Sequence, residues 1–157
     1  MKIFLGTDHA GFEAKEKVKA FLMQEGHDVS DCGAFTFDVN DDYPDFIHPA
    51  AEGVSNDPES LGIIFGGSGQ GEAMCANRHS GVRAAVYYGV PGKDQVDAGG
   101  KSLNMIASTR EHNNANMLSL GVRFLSDEEI ISVVKLFIET PFSNGDRHLR
   151  RITKLDN

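Results

Sequence analysis

The sequence has no tryptophan, only two cysteines and five prolines, and fewer basic than acidic residues. Cys32 and Cys75 are too few and too far apart for a disulfide scaffold, and they make no C-x-x-C pair for redox or metal chemistry. No apolar run approaches the roughly 18 residues that a membrane-spanning helix needs. The N-terminus, where Asp8 follows a short apolar stretch Ile3–Gly6, does not have the form of a signal peptide. A cytoplasmic protein with no membrane attachment is expected. With 15 Lys and Arg against 23 Asp and Glu, the formal net charge is −8. Such a chain repels nucleic acid unless it carries a strong local basic patch, so no nucleic-acid partner is expected.

What is present is ordinary for a globular chain: 157 residues, of which 40% are hydrophobic and 24% charged. That length supports one domain over residues 1–157 with a core of its own. Short apolar runs at Lys2–Gly6 and Leu61–Phe65 read as buried strands, and His27–Cys32, Val82–Tyr88 and Met117–Leu120 as further strands. Between them lie helical patterns. The first carries the stripe Phe12, Ala14, Val18, Phe21 and Leu22 and stops at Gly26; others fall at Phe46–Val54, Glu72–Arg78 and within 104–115. The last helix opens on the capping box Ser126-Asp-Glu-Glu129 and ends before Pro141. Residues 33–45, with their aspartates and Pro44, read as a loop, and Gly89–Ser102 as a loop of unusual length. Strands alternating with helices predict a parallel sheet covered on both faces, a doubly wound three-layer α/β/α sandwich. Ligands in such folds sit beyond the carboxyl ends of the strands, where Asp8-His9 and Gly66–Glu72 fall.

Gly66-Gly-Ser-Gly-Gln-Gly71 joins a strand to a helix and exposes backbone N–H groups at a helix start. No Lys-Ser/Thr follows, so it is not a P-loop. Its spacing, and the lack of an acid at the end of the next strand, exclude a clean dinucleotide fingerprint. An anion or oxyanion cradle and a merely tight turn both remain open. Glu72, read by position alone, is a first-turn acid favoured by the helix dipole. Asp8-His9 is a site candidate at the end of a strand, and Glu111-His-Asn-Asn114 gathers polar groups where a plain helix terminus would also serve. His27, His48, His79 and His148 have no ligand-like spacing, and no metal is expected. Arg147 and Arg151 are i,i+4, so on a helix they share a face that can grip one anion, although a solvated basic tail has the same pattern.

Taken together, Gly6-Thr-Asp-His-Ala-Gly11, Asp42-Tyr-Pro44, Gly66–Glu72, Ala76-Asn-Arg78, Glu111–Ala115 and Arg147-His-Leu-Arg-Arg151 closely resemble the ribose-5-phosphate isomerase B family, which includes allose- and galactose-6-phosphate isomerases. The likeness spans nearly the whole chain. It implies a Rossmann-like, mostly parallel fold, no cofactor, a sugar-phosphate substrate, and a homodimer, in some members a tetramer, with shared active sites. One branch of the family has a cysteine base just before the Gly-rich loop, where this chain has Gly66; the other uses the glutamate that falls on Glu72. The resemblance therefore replaces the bland reading of Glu72 with that of a general base. It assigns ring opening to His112 from the partner subunit, with Asp8 assisting, and enediolate stabilisation to Ser68 and nearby amides. Phosphate binding falls on His9, Arg147 and Arg151, with Arg123 from the partner. Tyr43, Gly67, Gly69, Gly71 and Asn113 complete the expected substrate site. The expected activity is interconversion of ribose 5-phosphate and ribulose 5-phosphate. A 6-phosphohexose substrate and a non-catalytic phosphometabolite-binding module are the alternatives. The segment between Tyr88 and Arg110 is longer than its family counterpart by several residues and is expected near the site.

Overall fold

A computed structural model describes residues 1–93, 95–97 and 99–155. Its strands are β1 (Lys2–Thr7), β2 (Asp28–Asp31), β3 (Leu61–Gly66), β4 (Ala84–Tyr87) and β5 (Met117–Gly121), in one sheet of order β2-β1-β3-β5-β4. Each pairing within this sheet is parallel, so the expected mostly parallel sheet is parallel throughout. The helices are α1 (Phe12–Gln24), α2 (Pro44–Asn56), α3 (Gln70–Ala76), α4 (Met105–Asn113), α5 (Asp127–Glu139) and α6 (Asp146–Ile152).

Alternation along the strands builds the two sides of the core. Ile3, Leu5, Ile63, Phe65, Leu118 and Leu120 face Val18 and Leu22 of α1 and Ile130, Val134 and Phe137 of α5. Phe4, Ile64 and Met117 face the other way, against Ile47, Ala50 and Val54 of α2 and Ala76 of α3. The helices therefore cover both faces, as three layers require. Among the described residues no helix is long and apolar enough to cross a membrane.

The stops and starts follow local chemistry. After α1, Gly26 takes φ +81°; its N–H donates to the Met23 carbonyl at 3.1 Å and that of His27 to Leu22 at 3.0 Å, a Schellman closure. The Ser126–Glu129 box forms in both directions at the head of α5. Helix α2 begins at Pro44, earlier than expected from the pattern, because proline at the first helical position has no N–H to leave unpaired. Helix α6 was not expected as an element of its own. Its seven residues carry four polar cations or imidazoles and no apolar period. Of the segment 89–102, Asp94 and Ala98 lie outside the described residues, as do Asp156 and Asn157 at the end of the expected domain.

The apolar stripe of α1 conceals a charge. Lys15 is wholly buried, and its ammonium donates to both carboxylate oxygens of Asp31 at 2.7 and 2.8 Å. Lys19 donates to the same carboxylate at 2.8 Å, and Asp31 Oδ1 also accepts the Gly33 N–H at 3.0 Å. Gly33 and Ala34 in turn bond to Thr7 at the end of β1. Burial pushes the Asp31 carboxyl up, but the hydrogen bonds from Lys15, Lys19 and Gly33 more than offset it and hold it below its ordinary value. Lys15→Met is expected to lower stability by about 2 kcal/mol, because Asp31 loses one of its two ammonium partners while keeping its own desolvation cost, offset only by Lys19 and the Gly33 N–H. Urea unfolding of the two proteins at neutral pH checks this. The Asp31 contribution is present above about pH 4, the ordinary carboxylate value, and is lost as pH falls through its lowered one. The difference between the proteins should therefore shrink in acid.

Candidate active site

A parallel sheet points all its carboxyl ends to one edge, and chain reversals at the switch between β1 and β3 leave a crevice there. Asp8 and His9 follow β1, the Gly-rich turn follows β3, and Arg123 follows β5. Tyr43, at the head of α2, joins them; its hydroxyl and ring approach Gly71 so closely that a Cβ there would lie 3.0 Å from both Oη and Cζ.

The turn is fastened from beneath by β5. Ser119 Oγ donates to the Gly69 carbonyl at 2.7 Å. Gly69 takes φ +75°, which favours glycine, and starts α3 two residues earlier than expected. Glu72 thus sits in the first turn of α3, not at its start, and its side chain turns inward: the residue is 5% exposed. Its carboxyl lies over Gly66, where a Cβ would come within 2.0 Å of Cδ and Oε1. Only glycine leaves room for it. Burial pushes the Glu72 carboxyl above its ordinary value; its own backbone N–H opposes this and the nearby Asp8 charge adds to it. A first-turn acid satisfied by the helix dipole alone would face water. The sequence does not display the burial of this carboxyl. Ser68 Oγ accepts the Gln70 N–H at 3.4 Å.

Asp8 is buried, and its Oδ1 caps the following turn by accepting the Ala10 N–H at 2.9 Å. His9 Nδ1 lies 2.7 Å from Asp41 Oδ1, which also accepts the His9 backbone N–H at 3.0 Å. The hydrogen bond to Asp41 raises the His9 imidazole above its ordinary value. Desolvation opposes this, the charges of Asp8 and Asp41 add to it, and Arg123 opposes it. Asp41 belongs to the stretch read only as an acidic loop, so its part at this edge was missed. Asp8, His9 and Asp41 bring possible ligand atoms within 4.8 Å of one another, and a 2.7 Å hydrogen bond joins His9 Nδ1 to Asp41.

Arg123 was expected from the partner subunit; within this chain its N–H donates to the Gly67 carbonyl at 3.2 Å, and a Cβ on Gly67 would lie 3.1 Å from its guanidinium carbon. It reaches its own chain's cradle because β5, which it follows, pairs with β3.

The remaining candidates lie elsewhere. His112 and Asn113 end α4 before β5 begins, at the amino edge of the sheet. There they share a cavity of about 210 Å³ with Arg147, His148, Arg151, Ile152 and Leu155. The His112 and His148 rings stack at 4.5 Å, inclined by 4°. The five residues of β5 separate this edge from the cradle by about 16 Å at 3.3 Å per residue. Two histidine pairings escaped the spacing analysis: this one, and a 2.9 Å hydrogen bond between His48 and His79. The long segment after β4 lines a larger cavity, of about 930 Å³, against α5; no expected site residue borders it.

A family model described as Ribose/Galactose Isomerase matches residues 3–155. The ribose-5-phosphate isomerase B of Mycolicibacterium paratuberculosis (strain ATCC BAA-968 / K-10) is 43% identical over 152 residues, covering 97% of this chain and 87% of that protein. A crystal structure of ribose-5-phosphate isomerase B from Mycoplasma genitalium with bound ribulose-5-phosphate superposes with a TM-score of 0.85 at 37% identity, covering 98% of this chain and 93% of the other. That from Thermotoga maritima gives 0.83 at 37% identity, covering 99% and 97%.

The burial of Glu72 makes a stability prediction that does not depend on turnover. An acid raised above its unfolded value contributes most below that value, and the contribution is lost as pH rises through the folded one. Glu72→Gln is therefore expected to be more stable than the wild type at pH 8, with the advantage fading toward pH 4. Thermal unfolding across that range measures it.

Proposed function

The chain belongs to the ribose/galactose isomerase family, and from this we infer that it is an aldose–ketose isomerase interconverting ribose 5-phosphate and ribulose 5-phosphate. The names of its relatives favour this pentose over a 6-phosphohexose. The observation that carries the reading is the Glu72 carboxyl, buried over Gly66 at the head of a glycine cradle. A phosphate-binding module without catalysis has no use for a buried acid beside an anion cradle, where it repels the ligand.

The reaction moves one proton between adjacent carbons, so one base on one face of the substrate suffices. His112 shuttles a proton between the ring oxygen and the anomeric hydroxyl to open the sugar, with Asp8 assisting. Glu72 as carboxylate takes the C2 proton. The C2–H electron pair becomes the C1–C2 double bond and the carbonyl oxygen at C1 gains negative charge, giving a cis-enediolate. The O2 hydroxyl proton passes to O1, and as the oxygen at C2 becomes the carbonyl Glu72 returns its proton to C1, leaving the ketose with a C1 hydroxyl and Glu72 as carboxylate again. A base is most useful when its pKa lies near the working pH, and burial moves Glu72 in that direction. Ser68 and the amides of Gly67, Gly69 and Gly71 hold the enediolate oxygens; one such donor contributes about 3–4 kcal/mol. Tyr43 and Asn113 line the sugar. Charge-assisted bonds from His9, Arg123, Arg147 and Arg151 bind the phosphate, and Arg is suited to this by its fork of donors.

Glu72 and His112 stand at opposite edges of one sheet. We therefore place His112, Asn113, Arg147 and Arg151 in a site completed by a second copy, in a homodimer with two shared sites. No cofactor is required, and a cytoplasmic location fits a metabolite substrate.

Glu72→Gln keeps the shape of the side chain but cannot accept a proton. It is expected to lower kcat by at least about 100-fold with KM nearly unchanged, since the lost interaction belongs to the transition state. Steady-state kinetics with ribose 5-phosphate, together with loss of deuterium exchange from solvent into the substrate, test the assignment. A variant that keeps wild-type turnover overturns it.

A further inference from the structure

The loop between β2 and α2 brings Asp41 to the carboxyl edge, where one of its oxygens holds His9 twice. Oδ1 accepts the His9 backbone N–H at 3.0 Å and lies 2.7 Å from ring Nδ1. The Asp41 side chain is only 10% exposed, while the His9 ring is 28% exposed. Its second oxygen, Oδ2, is buried with no hydrogen-bond partner among the described residues. A carboxylate seldom gives up that much water unless what it grips repays the loss. The Asp8 cap anchors the same turn through the Ala10 N–H, and Asp41 adds a hold on both the backbone N–H and the ring of His9.

We propose that Asp41 is a positioning residue of the phosphate subsite: it fixes the His9 ring with Nδ1–H on its carboxylate and leaves Nε2–H to meet the phosphate of the sugar. The inference rests on the reading of His9 as a phosphate ligand. The hydrogen bond at one ring nitrogen sets which proton the other presents. The edge of the His9 ring also meets Phe37, with centroids 6.4 Å apart at 88°, so the ring is confined on a second side. Asp8, with a carboxylate oxygen 4.0 Å from Nδ1, supports the charged imidazole as Asp41 does, while Arg123 opposes it. The Asp41 hydrogen bond thus favours the charged imidazole, the form that pairs with a phosphate dianion. An aspartate inside a cationic subsite would otherwise only weaken phosphate binding.

The test is the pH dependence of KM for ribose 5-phosphate, and of inhibition by inorganic phosphate, between pH 6.5 and 9 in the wild type, Asp41→Asn and His9→Asn. Asp41→Asn is expected to raise KM about tenfold at pH 8, the scale of one charged hydrogen bond, with kcat within about twofold. The pH at which KM begins to climb should move down. His9→Asn should weaken phosphate inhibition at every pH and flatten the profile. If His9→Asn weakens phosphate binding and Asp41→Asn leaves the profile unchanged, Asp41 has no such role. If His9→Asn leaves phosphate inhibition intact, the reading of His9 fails and this inference falls with it. In the wild-type enzyme, the nitrogen chemical shifts of His9 give a readout independent of turnover and of how the variants fold. The proposal requires the neutral ring to carry its proton on Nδ1, and an Nε2–H tautomer overturns it.

Discussion

Strand polarity is the constraint from which the site follows. When all five strands run the same way, every turn that leaves a strand arrives at one edge and every turn that enters one departs from the other. Asp8, His9, Glu72 and Arg123 lie at the carboxyl edge because each follows a strand; His112 and Asn113 lie at the amino edge because they precede one. Helix α5 then carries the chain back along the sheet and delivers α6, with Arg147 and Arg151, to the same amino edge. No rearrangement within one chain joins the two groups without unpicking β5, which lies between two hydrogen-bonded neighbours. A site that needs both groups is on our reading a property of two chains.

At the carboxyl edge the decisive contact is between Glu72 and Gly66. The carboxyl fills the space a side chain at 66 would occupy. That exclusion gives a physical form to the two branches the resemblance describes: a cysteine at the position before the Gly-rich turn and an inward glutamate on the following helix compete for one volume. Neither cysteine of this chain stands at that position. Cys32 packs beside the α2 face of the core, and Cys75 is buried in that core on α3. Burial pushes both thiols up, away from the thiolate that chemistry would need.

Much of this was legible in the sequence because the signals are local. Apart from the polar β2, the strands are short apolar runs with glycine or polar stops. The capping box of α5 and the glycine closure of α1 involve residues within six positions of one another. The motifs at Gly6–Gly11, Gly66–Glu72 and Glu111–Ala115 carried the family and with it most of the candidate site. What was illegible depends on contacts between distant residues. Lys15 lies in an apolar stripe but is buried against Asp31, sixteen positions away. Asp41 reaches His9 across thirty-two. The contact of Arg123 with Gly67 of its own chain was not visible either, because neither spacing nor motif reveals that β5 pairs with β3 while β4 is displaced to the sheet edge. Helix α6 was missed because a short, strongly basic helix has no apolar period to announce it.

The central claim is that each site takes Glu72 from one chain and His112 from another. Refolding an equal mixture of Glu72→Gln and His112→Asn subunits tests it directly. In a mixed dimer one site collects both lesions and the other neither, so random assembly should restore about a quarter of wild-type turnover although each variant alone is nearly inactive. Turnover that stays at the level of the separate variants, in a mixture shown to contain mixed dimers, would contradict the account and return both residues to a single chain.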